Sequence, residues 1–105
     1  MSGDYIAKLT DAIRHLYNVE PVYVETVPVK EMFQDQIVWE GEVEVFDIPE
    51  SPEADRVYAW THETDNADQP RRTVTVLHVP PVVSPELAVR ASIIQDYRNE
   101  QQEKH

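Results

Sequence analysis

The stretch Ile37-Val38-Trp39-Glu40-Gly41-Glu42-Val43-Glu44-Val45-Phe46-Asp47-Ile48 decides the fold class. Its side chains alternate. Ile37, Trp39, Val43 and Val45 fall on one face, and Glu40, Glu42 and Glu44 on the other, bracketed by Val38, Phe46 and Ile48. A period of two marks a β-strand, because successive side chains leave a pleated backbone on opposite sides. Gly41 interrupts the apolar side, which predicts a bulge or the close approach of a neighbouring backbone or side chain.

Upstream of this strand, Val22, Val24, Val27 and Val29 predict another over residues 22–30. Pro28 has no backbone donor, so it puts that strand at a sheet edge or marks a break in it. Residues 31–36 read as the turn between the two. Downstream, Pro49-Glu50-Ser51-Pro52-Glu53-Ala54-Asp55 is a loop by composition. A third strand follows over 56–63, with Tyr58, Trp60 and His62 facing one way and Val57, Ala59 and Thr61 the other. A polar hairpin loop over 65–70 leads to a fourth strand over 71–79, which Pro80-Pro81 ends.

Helices flank the strands. Ile6, Leu9, Ile13 and Leu16 recur at spacings of 3, 4 and 3, the stripe of an amphipathic helix over 4–18, with Asp4 as its N-cap and Asn18 and Pro21 closing it. Ser84-Pro85-Glu86 opens a second helix: a hydroxyl cap, a proline pre-set at the first helical position, and a carboxylate at the positive dipole end. Leu87, Ala91, Ile94 and Tyr97 share one face of it, and it reaches about Glu100 before a polar tail that frays. The expectation is an α+β fold of order α-β-β-β-β-α, a four-stranded antiparallel meander with the N- and C-terminal helices on one face and the other face open.

With 105 residues the chain is sized for a single domain, 1–105, and its 41% hydrophobic and 28% charged residues are ordinary for a globular one. No apolar run reaches the ~18 to 20 residues of a membrane span, so a transmembrane protein is not expected. The acidic charge, which repels anionic membranes, makes a membrane partner unexpected as well. The absence of cysteine removes disulfides, thiol nucleophiles and Cys-based zinc sites. Met1-Ser2-Gly3-Asp4-Tyr5 lacks the basic and apolar regions of a signal peptide, so a cytoplasmic protein is expected.

The formal charge of −11 is concentrated. Residues 31–68 hold twelve acids and one base, Arg56, while 1–30 sum to −1 and 69–105 to +1. That field repels nucleic acid, and only Arg71 and Arg72 stand together as a basic pair, so no nucleic-acid partner is expected. A solvated, solubilising surface is the ordinary use of such a segment; a docking face for a basic protein is the sharper one.

Catalytic chemistry finds little footing. A two-histidine metal site would need His62 and His78 opposite each other, and a turn near Ala67-Asp68 puts them roughly 16 Å apart along the ladder. His15 and His105 lie at the two ends of the chain. No glycine-flanked serine elbow is present, and Gly3 and Gly41 alone cannot build a phosphate-cradling loop. Glu40, Glu42 and Glu44 stand about 7 Å apart along one strand face. Acid–base work needs one of them desolvated, whereas three in a row on an open face are solvated, with Lys30, Arg56, Arg71 and Arg72 available for cross-strand neutralisation. No catalytic residue, metal or cofactor is assigned.

The run Val27-Pro28-Val29-Lys30-Glu31, then Val38 through Phe46, Tyr58-Ala59-Trp60, Val76 through Pro81, Ser84-Pro85 and Ala88-Val89-Arg90-Ala91 resembles a family of small uncharacterised bacterial proteins, over about residues 12–98. The resemblance implies a bacterial cytoplasmic protein and supplies no activity, cofactor or site. The element order is also similar to that of double-stranded RNA-binding domains, an analogy rejected because the basic residues those domains need are missing.

The expected function is a non-enzymatic protein-interaction module. Its exposed sheet face and acidic strand, through Glu40, Glu42, Glu44, Tyr58, Trp60 and His62, would bind a protein partner or a second copy of the chain. Tyr58 and Trp60 serve this only if they point to the open face; pointing under the helices they are core. The alternative is a small-ligand or enzymatic pocket between sheet and helices, using Tyr58, Trp60, His62 and His78.

Overall fold

The computed structural model of the chain describes residues 2–63, 67–68 and 71–103, with side chains described for 5–61, 67–68 and 71–98. The elements are α1 (Ser2–Tyr17), β1 (Val22–Phe33), β2 (Gln36–Asp47), β3 (Arg56–Glu63), β4 (Arg71–Leu77) and α2 (Pro85–Glu103). The strands pair in chain order, β1-β2-β3-β4, each antiparallel to the next. The α+β class, the order α-β-β-β-β-α and the open antiparallel meander are as the alternation predicts.

The helices, however, do not share a face. Leu9 and Ile13 of α1 pack with Phe46, Ile48, Val57 and Ala59. Ala88 and Val89 of α2 pack with Val29, Val43, Val45, Tyr58 and Trp60. Val57 and Ala59 alternate with Tyr58 and Trp60 along β3, and alternate residues leave a strand on opposite sides, so the sheet lies between the two helices. The expected arrangement, both helices over one face with the other left open, is therefore corrected. The physical reason is the unbroken apolar run Val57-Tyr58-Ala59-Trp60, which gives β3 two faces that need burial.

Several boundaries also move. β1 continues to Phe33, and the turn shrinks to Gln34 and Asp35, both at positive φ (52° and 66°). Two residues at positive φ between the paired Phe33 and Gln36 are the geometry of a type I′ hairpin turn. β4 ends at Leu77, two residues early, although the His78 amide still donates to the Arg56 carbonyl at 2.9 Å. α1 begins at Ser2, so Asp4 lies inside it rather than capping it. Asn18 closes it as expected, at φ 55° with its amide on the Arg14 carbonyl. Ser84 caps α2 as its sequence implies, its Oγ accepting from the Leu87 amide at 3.2 Å. The helix runs to Glu103, past the expected end near Glu100. Its buried face is Ala88 and Val89 with part of Ile93, which leaves Ile94 and Tyr97, expected on the core stripe, exposed.

The strands pair over unequal lengths. β2 pairs with β3 only through Glu44–Asp47 against Arg56–Ala59, while it pairs with β1 along its whole length. Beyond Glu44 the β1–β2 hairpin therefore projects as a two-stranded arm. Trp39 on that arm meets Trp60 of β3 edge to face, centroids 5.9 Å apart.

Candidate functional site

The arm and α2 enclose an apolar concavity. Met32, Phe33 and Val38 of the hairpin tip face Ile93, Ile94 and Tyr97 of α2 across a groove of about 710 Å³. Phe33 and Tyr97 are 65% and 62% exposed, and Met32, Val38 and Ile94 nearly half exposed. Isolated exposed apolar side chains are ordinary, but five lining one groove are not. Local structure explains the gathering. The tight turn at Gln34-Asp35 holds Met32 and Phe33 beside their partners Ile37 and Gln36, and the register slips between Glu31 and Met32, so that Val38 is an extra residue on β2.

The inner end of the groove is fixed by charge. Arg90 Nε donates to Glu31 Oε1 at 2.6 Å, and Glu31 is only 8% exposed. The same ion pair raises the Arg90 guanidinium further above its ordinary range. It ties α2 to the arm, while Arg72 and Asp96, 3.4 Å apart, tie α2 to β4.

The glutamates of β2 separate. Glu40 is exposed and lies 3.6 Å from Lys30 on β1, the cross-strand neutralisation expected of one of the four bases. Glu42, opposite Pro28, is exposed as well. Glu44 is 3% exposed, which corrects the expectation of an open glutamate stripe: it lies where β2 is flanked by strands on both sides, between Thr26 and Ala59. Thr26 Oγ1 donates to its carboxylate, and Tyr23 Oη lies 2.5 Å from that hydroxyl. Burial raises the Glu44 pKa, the hydrogen bond from Thr26 opposes this, and the nearby charge of Glu42 adds to the rise.

Tyr58 and Trp60, each 2% exposed, belong to the core beneath α2 and offer nothing to a partner, which corrects their placement on an open sheet face. Their size explains it: the largest side chains of β3 are buried where a helix can cover them. The backbone of His62 pairs with Arg72; its side chain lies outside the described residues. Trp60 does not line the pocket that His78 lines. Tyr58 and His78 do meet, with Tyr58 Oη 2.5 Å from His78 Nδ1, beside a separate cleft of about 410 Å³ at the other end of the sheet.

Sequence reasoning missed Met32, Phe33, Ile94 and Tyr97 as surface residues. The readable signal was the run Met32-Phe33 inside a segment taken for a turn, since large apolar residues in a turn have no core to enter. Among the described residues no helix is long and apolar enough to cross a membrane, and no three metal-ligating side chains gather. Comparison with protein-family models, with curated proteins and with solved structures finds no match at significance.

Proposed function

We propose that the protein is a non-enzymatic interaction module whose groove, between the β1–β2 tip and α2, receives an amphipathic segment of a basic partner protein. The observation that carries this reading is the exposure of Phe33, Tyr97, Met32, Val38 and Ile94 around one groove. Burying them would gain about 25 cal/mol per Å² of apolar surface removed from water. Charge selects the partner. The hairpin carries Asp35, Glu40 and Glu42 at its surface against Lys30. Glu40 and Glu42 leave β2 on the side opposite Trp39, Val43 and Val45, away from the groove. The surplus of residues 31–68, net −11, therefore acts on the flanks of a bound segment and not inside the groove. A second copy of the chain would bring the same acidic surplus, whereas lysines and arginines flanking an apolar stripe complement it. A bacterial, cytoplasmic setting, as the family resemblance implies, is compatible with such a partner.

The test uses a designed helical peptide of leucines and lysines and its charge-reversed leucine–glutamate counterpart, titrated by fluorescence anisotropy. The basic peptide is expected to bind, at least tenfold more weakly after Phe33→Ser or Tyr97→Ser, and unchanged after Leu16→Ser on the exposed side of α1. Affinity should fall as salt rises. Equal binding of both peptides, or indifference to Phe33, would overturn the reading. Sedimentation of a Phe33-dependent dimer would replace it with self-association.

A further inference from the structure

The cleft at the opposite end of the sheet from the groove is lined by Asp47, Pro49, Asp55, Arg56 and His78, and has no part in the docking reading. Its floor is organised by two contacts. Asp47 Oδ1 accepts from Arg56 Nε at 2.9 Å, which fixes the guanidinium and leaves both terminal nitrogens without a hydrogen-bond partner among the described residues. Tyr58, 2% exposed, has His78 Nδ1 as its hydroxyl partner, at 2.5 Å.

That second contact sets the histidine tautomer. A buried phenol must place its proton on an acceptor, and burial holds the Tyr58 hydroxyl above its ordinary pKa, so it stays protonated. Nδ1 of His78 is then the acceptor and the neutral ring carries its proton on Nε2. If the ring is protonated, Nε2 still bears a hydrogen. In either state the residues lining the cleft bring three donors not used in those contacts, the two Arg56 terminal nitrogens and His78 Nε2, a set suited to a carboxylate. Asp55 is exposed at the same cleft, and its charge disfavours a simple anion. A ligand bearing both signs satisfies both halves of the lining.

We propose that this cleft binds a small zwitterion of amino-acid size, its carboxylate on Arg56 and His78 and its ammonium on Asp55. A cleft of about 410 Å³ accommodates such a molecule with room for bridging water. No reaction is implied; the geometry is that of a binding site.

The test is a titration of the full chain with glycine, β-alanine and L-lysine, followed by nitrogen-edited NMR of the His78 ring and Arg56 side chain. Acetate, methylammonium and inorganic phosphate are the controls. At least one zwitterion should bind about tenfold or more tightly than either half-molecule. Asp55→Asn, at an exposed position, should leave the melting curve in place and weaken that zwitterion about tenfold, while acetate binding does not weaken. His78→Gln should weaken both, and Arg56→Lys, with wild-type circular dichroism as the check on folding, should lose the two-point contact and most of the affinity. Zwitterions binding no better than acetate, phosphate binding more tightly than all of them, or indifference to Asp55→Asn would each overturn the proposal. None of these outcomes depends on the groove.

Discussion

At the scale of single residues, Glu44 and Gly41 connect sequence to structure most sharply. Glu44 reads as one of three equivalent acids, yet it alone is buried, because it sits where β2 gains its third-strand neighbour while Glu40 and Glu42 lie on the projecting arm. Alternation along one strand cannot show this, since it depends on how far the next strand runs. Its raised pKa sets a sign for stability. A carboxyl that is harder to ionise in the folded state favours folding most while protonated, and that benefit is lost as pH rises from the unfolded pKa toward the folded one. Glu44→Gln keeps an acceptor for Thr26 and removes the charge. It should raise Tm at pH 7, the gain shrinking as pH falls through the carboxylate range, measured by thermal melts across pH; a gain that grows toward acid would contradict the burial argument. Gly41 implies a bulge or a close approach, and the approach is that of the Trp39 indole, which would lie 3.0 Å from an added Cβ. Gly41→Val should displace the indole from Trp60, shift tryptophan emission and cost about 1 to 2 kcal/mol in denaturant unfolding.

At the scale of elements, the strands and helices were legible because each carries its own period, and the boundaries were not. The β1–β2 turn was expected over 31–36, but its two-residue extent escaped because Gln34-Asp35 lacks the Asn-Gly signature of a type I′ turn, although both residues sit at positive φ. Each non-glycine residue there costs about 1 kcal/mol, so replacing the pair with Asn-Gly should stabilise the fold by about 1 to 2 kcal/mol in urea unfolding. No gain would mean that the turn is held by contacts other than its own backbone. The start of α2 was fully readable from Ser84-Pro85-Glu86, and Ser84→Ala should cost about 1 kcal/mol in the same measurement. Its buried face was not readable: Leu87, Ala91, Ile94 and Tyr97 form a plausible stripe, but the core takes Ala88 and Val89. Small residues are chosen where the helix must approach Tyr58 and Trp60 closely, and large ones are left at the rim.

At the scale of the whole molecule, the sheet is held between two helices, and this follows from the apolar run in β3 rather than from any helix property. That arrangement withdraws Tyr58 and Trp60 from the surface and moves the candidate interface to the projecting hairpin and the outer side of α2. Of the residues assigned to an interface from sequence, Glu40 and Glu42 remain exposed, on the face of the hairpin turned away from the groove. The apolar groove was hidden because it is assembled from two elements more than fifty residues apart. In the proposed docking, the acidic surplus of residues 31–68 favours an occupant with basic flanks over a second acidic copy. Hydrogen–deuterium exchange of the protein alone and saturated with the leucine–lysine peptide tests this most directly. Protection should be confined to the Met32–Val38 tip and the Ile93–Tyr97 stretch of α2, and should vanish with Phe33→Ser. Protection spread along the acidic loop 49–55, with the tip unchanged, would show that charge alone captures the peptide and that the groove is not a docking site.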